Sequence, residues 1–236
     1  MHAFVDAFTF IGNHGHLLLS KTEVHLLLCV EALVISLVIA VPIGVWLGHI
    51  HRLSFLAINI SNFGRALPSL AILSILLPAI GIGRTDVVIA LVVLAFPPIL
   101  TNSYVAVEQV DADVVDAAKG LGMGPMQVVL KAELPLALPL IFAGIRTSAV
   151  FVVATATLAG FFGGGGLGDI IANESSYKLT GVIGASYVLI VLAFASQLLF
   201  IGLERLVTPA GLRNQRHQRE VPEEMEAGAK ALAEAA

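Results

Sequence analysis

Residues 110–134 read VDADVVDAAKGLGMGPMQVVLKAEL, a polar stretch between long apolar runs on either side. Asp111 or Asp113 is placed to cap a short helix, because a carboxylate there accepts a backbone N–H that the first turn leaves unpaired. Gly120, Gly122 and Gly124 end that helix. Pro125 suits the first turn of a second one, which carries Val128, Val129 and Ala132 on one side. The stretch predicts a helix–turn–helix, and its flanks decide what it is attached to.

Outward from this stretch the chain is apolar almost throughout. Of 236 residues, 57% are hydrophobic and 13% charged, with a mean hydropathy of +0.91. A water-soluble globule needs charged surface in proportion to its area, so this composition excludes one. About 20 apolar residues cross about 30 Å of hydrocarbon. Runs 24–48, 87–107, 134–159 and 181–206 meet that length. A shorter, proline-broken run at 66–82 reads as a further span or a re-entrant segment, and its apolar density favours the span. Residues 1–20 are too polar for a span and read as an interfacial segment. The expected fold is an all-α membrane protein of about five spans with an amino-terminal interfacial helix.

The net charge of −4 says little about partners, because Glu220, Glu223, Glu224, Glu226 and Glu234 sit in the tail. No nucleic-acid partner is implied. Cys29 is the one cysteine and lies in an apolar run, so neither a disulfide nor a thiolate metal site is expected within one chain. Residues 1–15 carry no Lys or Arg, so no cleaved leader is expected. The tail, 213–236, is charged and Ala/Glu-rich and reads as a frayed helix or disorder.

Sidedness follows from the cations. With the carboxy terminus inside, Arg52, Arg65, Lys119, Lys131, Arg205, Arg213, Arg216, Arg219 and Lys230 are cytoplasmic, against Lys21, Arg84 and Lys178 outside. This bias puts the amino terminus outside and residues 110–134 in the cytoplasm. A sixth span built from residues 1–20 would move the amino terminus inside without moving any of these loops.

In the first long run Ala32, Ser36, Ala40, Gly44 and Gly48 recur every four residues, a seam for close helix packing within or between subunits. Pro42, Pro78, Pro97, Pro98 and Pro139 lie in or near spans. Each frees a backbone carbonyl that neighbouring helices, hydroxyls or water must satisfy, so bent helices around a cavity are expected.

Asp116-Ala117-Ala118, then Gly122 four positions on, then Leu134-Pro135, resembles the cytoplasmic "EAA" loop of bacterial ABC importer permeases. Asp116 stands where Glu is usual, which keeps the charge. Ala132 stands where a larger aliphatic residue is common, which bears on one apolar contact. The resemblance runs from about residue 28 to residue 212 and is nearest the osmoprotectant uptake permeases, which serve glycine betaine, carnitine and choline. It is carried by Phe63-Gly64-Arg65-Ala66-Leu67-Pro68-Ser69, Pro97-Pro98-Ile99-Leu100-Thr101-Asn102, Glu133-Leu134-Pro135-Leu136-Ala137-Leu138-Pro139, Ala143-Gly144-Ile145-Arg146-Thr147 and Gly165-Gly166-Leu167-Gly168-Asp169.

That resemblance implies a type I importer transmembrane domain over 21–212, in a bacterial plasma membrane. The implied partners are a second permease, either the same chain or a sister, a cytoplasmic ATPase dimer that uses the ATP and Mg, and an external substrate-binding protein. No cofactor is expected on this chain. Asp116, Ala117, Ala118, Gly122, Leu134 and Pro135 become the expected ATPase-coupling residues. Mechanically, a transporter without its own nucleotide site must receive work through a rigid element gripped by a motor. Ala117, Ala118 and Gly122 would let a short helix seat deeply in a cleft of that motor.

The remaining constellations are weaker. Residues 163–168 contain GxGxxG, but no strand precedes it, so it is no dinucleotide site. It reads as an external turn meeting the binding protein or as a plain tight connection. No GxxxxGK[ST] occurs in the sequence. Arg146 lies about a dozen residues into its span and needs a partner or a wet cavity; Glu31 is the expected partner. Arg65, Pro68 and Ser69, where the second span begins, are candidates for the transport path with Glu31 and Arg146. His49, His51, His14 and His16 read as interface residues rather than metal ligands. Against an ATP-driven permease stand a methionine-type or other small-solute ABC permease, a secondary transporter or channel, which leaves the polar loop unexplained, and an intramembrane enzyme, for which no nucleophile–base pair is visible.

Overall fold

The computed structural model describes residues 2–51, 59 and 68–207, and every regular element among them is helical. In chain order these are α1 (His2–Asn13), α2 (Gly15–His49), α3 (Ser69–Ile80), α4 (Arg84–Glu108), α5 (Ala112–Gly120) and α6 (Pro125–Val128). A π-helical turn (Val129–Glu133) leads into α7 (Leu134–Thr155). A 3₁₀ turn (Ala156–Phe161), α8 (Gly168–Ala172) and α9 (Glu174–Val207) complete the described chain. Among the described residues, four stretches are long and apolar enough to cross a membrane: α2, α4, the continuous rod Pro125–Phe161 containing α7, and α9.

Two boundaries differ from the sequence reading. α2 begins at Gly15, so residues 15–20 belong to the long helix rather than to the amino-terminal segment. They lower its hydropathy, yet the polar Lys21 just after them is held by Asp169 at 2.6 Å. The run expected at 66–82 gives α3, whose 12 residues reach about 18 Å, short of a bilayer's hydrocarbon. Residues 66 and 67 of that run lie outside the described residues, as do Arg65 and the tail.

The core is the pair α2 and α4, which run parallel. Ser36 Oγ lies 3.4 Å from the Val92 carbonyl, Gly44 rests on Leu100 and Ser103, and Gly48 on Tyr104 and Val107. All five small residues of the seam are buried, and the seam packs inside the subunit. Parallel neighbours need a return crossing. α3 supplies part of it, joined to α4 by the turn Gly81-Ile82-Gly83, where φ values of +90° and +146° require glycine at both ends.

α7 runs antiparallel to α4, with Gly144 against Asn102 and Ser148 Oγ donating to the Ala95 carbonyl at 3.0 Å. The carbonyls these hydroxyls reach, Val92 and Ala95, flank the Val93 and Leu94 carbonyls that Pro97 and Pro98 leave without an i+4 donor. Leu28, Ala32, Leu91, Leu94, Ile99, Val152 and Ala156 fill the space between the three helices. α9 packs on α7 and is kinked at Lys178, whose φ of 59° departs from helix. α1 lies on α9: Gly181 and Gly184 accept the Phe10 ring, and Phe8 stacks on Tyr187 at 5.2 Å.

These directions bring residues 49–51, 109–133 and 207 to one end of the bundle, called the loop end here. Residues 14, 81–83 and 161–173 gather at the opposite end.

Candidate functional site

The loop end is built from its own small core. Asp111 caps α5, its carboxylate accepting the Asp113 N–H at 2.9 Å, so of the two predicted caps it is Asp111 that acts. At the far end the Gly122 N–H donates to the Lys119 carbonyl and the Met123 N–H to the Ala118 carbonyl, at 2.9 and 3.2 Å. Gly122 sits at φ +79°, and Met123 packs back on Val115 and Ala118. This is the glycine-terminated helix end in which a left-handed residue lets two late carbonyls be paired. Pro125 then starts α6, and the Gly124 N–H donates to Gln127 Oε1 at 3.1 Å.

Val115, Ala118 and Val128 are buried together, with Val110, Met123 and Ala132 beside them. The two short helices are thereby one folded knob. Its outer surface carries Asp116, Ala117, Lys119, Leu121, Met126 and Leu130, with Leu121 80% exposed and Met126 60% exposed. Asp116 and Lys119 form an open ion pair at 3.4 Å.

One expectation about the small residues is corrected here. Ala118 faces the knob's own core and is not available to seat in another protein's cleft, because helical periodicity turns it inward with Val115. Gly122 has open space around its Cβ position within this chain, and its positive φ by itself calls for glycine. Ala117 alone of the three is a small side chain on the outer face.

The knob is fastened to the bundle at Glu133. This carboxylate is 2% exposed and accepts hydrogen bonds from His49 Nδ1, at 2.9 Å to Oε1 and 2.8 Å to Oε2. Leu134 and Pro135 follow at once and are half-buried. Pro135 has no N–H to give and would crowd the carbonyl four residues back. The chain answers with the π-helical turn, where the Leu134 N–H reaches the Val129 carbonyl. Sequence reasoning missed this attachment. His49 read as an interface residue and Glu133 as part of a phrase, and nothing in the sequence links positions 84 apart.

The expected pair Glu31 with Arg146 does not form. Glu31 is held by Arg84, with Nε at 3.0 Å and Nη2 at 2.5 Å. Arg146 meets Glu204 at 3.2 Å. The reason is register. Arg84 starts α4, whereas Arg146 lies on α7 between Gly144, which rests on Asn102, and Ser148, which meets Ala95, about 16 to 27 Å further along α4 at 1.5 Å per residue. Pro68 caps α3, accepting the Ala71 and Ile72 N–H groups at 2.9 and 3.2 Å, and Ser69 is its first residue. Arg65, the third member of that group, lies outside the described residues.

The glycine run at the opposite end is a tight connection packed on α2 and α4. A Cβ on Gly163, Gly164, Gly165 or Gly166 would meet Ile82, Val87, Val24 or His25 respectively. Gly168 is closer still, its place for a Cβ lying 2.0 Å from the Thr157 carbonyl oxygen.

Comparison with known proteins agrees with this architecture. Residues 40–210 match the family "Binding-protein-dependent transport system inner membrane component". The glycine betaine/carnitine/choline transport system permease protein OpuCB of Bacillus subtilis (strain 168) is 37% identical over 209 residues, 88% of this chain and 96% of that protein. The choline transport system permease protein OpuBB of the same organism is 38% identical, covering 90% and 97%. The carnitine transport permease protein OpuCB of Listeria monocytogenes is 35% identical, covering 88% and 96%. Among solved structures, a chain of the MetNI methionine ABC transporter in an inward-facing conformation superimposes with a TM-score of 0.74 at 25% identity, covering 84% of this chain and 99% of that one. With family match, relatives and fold in agreement, this chain belongs to the inner membrane components of binding-protein-dependent transport systems, as a multi-pass permease with the type I ABC importer fold.

Proposed function

We propose that this permease carries a small quaternary amine such as glycine betaine, carnitine or choline into the cell, driven by ATP hydrolysed on a separate ATPase dimer. The chain binds no cofactor of its own in this reading, and ATP and Mg belong to the partner. The loop end faces the cytoplasm, with the carboxy terminus. The excess of Lys and Arg assigned to that side supports it. Two permease chains, identical or sister, enclose the path, and an external binding protein delivers the substrate to the opposite end.

The observation that carries the coupling is the knob itself. A segment of 25 residues has its own hydrophobic core, capped helices and an outer face bearing Asp116, Ala117, Leu121 and Met126. Large apolar side chains held out on a folded knob at the end of a bundle are what a docking contact requires. A closing ATPase dimer would push this knob, and α4 and α7, which it joins, would tilt with it to alternate the opening of the path. Leu134 and Pro135 form the junction with α7, and Glu31, Arg146, Pro68, Ser69 and Arg65 stay candidates for lining or gating.

The test is copurification of the ATPase with Leu121→Asp and Met126→Asp permeases. Loss of the ATPase from a still-folded permease is the expected result, and undiminished assembly would argue against docking here. The likeness to the methionine transporter keeps one second reading, a methionine-type permease. Binding measurements on the cognate binding protein, with methionine and glycine betaine side by side, separate the two.

A further inference from the structure

The ends of α2, α4 and α7 meet at the loop end, and two of their three junctions are continuous. α2 and α4 are joined by close packing, Gly48 resting on the Tyr104 carbonyl and Val107. α4 and α7 are joined by the chain of the knob. The third junction, α2 to α7, holds the His49–Glu133 pair, beside apolar packing of Val45, Val129 and Ala137. Both oxygens of a carboxylate that is 2% exposed converge on a single nitrogen, and the His49 side chain is only 15% exposed. The Trp46 ring stands 6.2 Å from the imidazole, one turn back on α2.

Apolar contacts slide, whereas the His49 N–H, shared by both oxygens of a buried carboxylate, holds the two side chains at hydrogen-bond distance. Burying charge is a poor way to gain stability, since desolvation offsets most of the attraction. A role in transmission accounts for the pair better than a role in folding.

We propose that His49 and Glu133 are positioning residues that tie the knob to α2, so that displacement of the knob moves α2, α4 and α7 as one body. This rests on the reading that the knob receives the ATPase's push. Glu133 sits in the last turn before α7, at the base of the knob, so a push on α5 and α6 loads this residue directly. Through His49 the load reaches α2, and the glycine seam returns it to α4. With the tie cut, the knob still docks and the ATPase still turns over, but α2 lags and the path opens incompletely.

The experiment reconstitutes the full complex in proteoliposomes and measures substrate taken up per ATP hydrolysed, with ATPase copurification measured on the same preparations. His49→Ala, Glu133→Ala, the double variant, His49→Gln and the reversed pair His49→Glu/Glu133→His are compared with the natural chain. The two single alanine variants are expected to keep the ATPase and lower uptake per ATP about tenfold, within the range of coupling between sites. The double variant should be no worse than either single one, as for residues that act as a unit. His49→Gln, which retains a donor, or the reversed pair should recover part of the loss. Unchanged uptake per ATP in the alanine variants, or uptake and ATP hydrolysis falling in constant proportion, would overturn the proposal. Failure of docking itself would appear differently, as normal ATPase copurification with Leu121→Asp and Met126→Asp.

Discussion

Placing a methyl group at Gly44 should weaken the bundle. A Cβ there would stand 2.6 Å from Ser103 Cβ and 2.7 Å from the Leu100 carbonyl oxygen. Non-bonded carbons settle about 3.5 to 4.0 Å apart, so α2 would have to withdraw from α4 by about 1 Å. One of the two obstacles is backbone and cannot rotate away. Overpacking of this kind costs about 1 to 3 kcal/mol. Gly202 in α9 provides the control, because nothing lies within 4 Å of its Cβ position. There the alanine should stabilise by about 0.5 to 1 kcal/mol through the helix's backbone entropy. The two variants should differ by about 1.5 to 4 kcal/mol, roughly 10- to 900-fold in the unfolding equilibrium. Reversible unfolding in mixed micelles with a denaturing detergent measures this. Circular dichroism reports helix loss, and the fluorescence of Trp46, the one tryptophan, on the exposed face of α2, reports the unfolding of that helix. Equal stability of Gly44→Ala and Gly202→Ala would refute the seam as a close contact within the subunit.

Other consequences follow from single contacts. Ser148→Ala removes the hydroxyl from the Ala95 carbonyl beside the double proline, and the same unfolding assay should show a loss of about 0.6 to 1.7 kcal/mol, typical of hydrogen bonds between membrane helices. Asp111→Ala removes the α5 cap and should cost about 1 kcal/mol locally, seen as faster hydrogen exchange over 112–120 with little change in global unfolding. Gly122→Val forces a β-branched residue to φ +79°, which costs about 1 to 2 kcal/mol and should loosen the knob and lower ATPase affinity without disturbing the spans.

The long spans and the knob were legible because each rests on local pattern. Apolar runs of span length announce α2, α4, α7 and α9, and an acid, a glycine cluster and a proline announce α5 and α6. The four-residue spacing of Ala32 to Gly48 marked the seam, though only the fold shows that α4 fills it. Long-range pairing was not legible. Arg146 needed a partner and Glu31 was an available acid, but helix register places Glu31 with Arg84 and Arg146 with Glu204. The inward turn of Ala118 depends on which face of a nine-residue helix meets Val128, which spacing in so short an element does not decide. His49 and Glu133 were each visible, and their meeting depends on the parallel course of α2 and α4 and on the π-helical turn before Pro135.

The most direct test of the whole account is uptake of labelled glycine betaine, carnitine and choline into proteoliposomes holding the permease, its ATPase and its binding protein. Accumulation that requires ATP inside the ATPase's compartment, requires the binding protein, and disappears with Leu121→Asp is the predicted result. Uptake that proceeds without ATP, driven by an ion gradient alone, would contradict it.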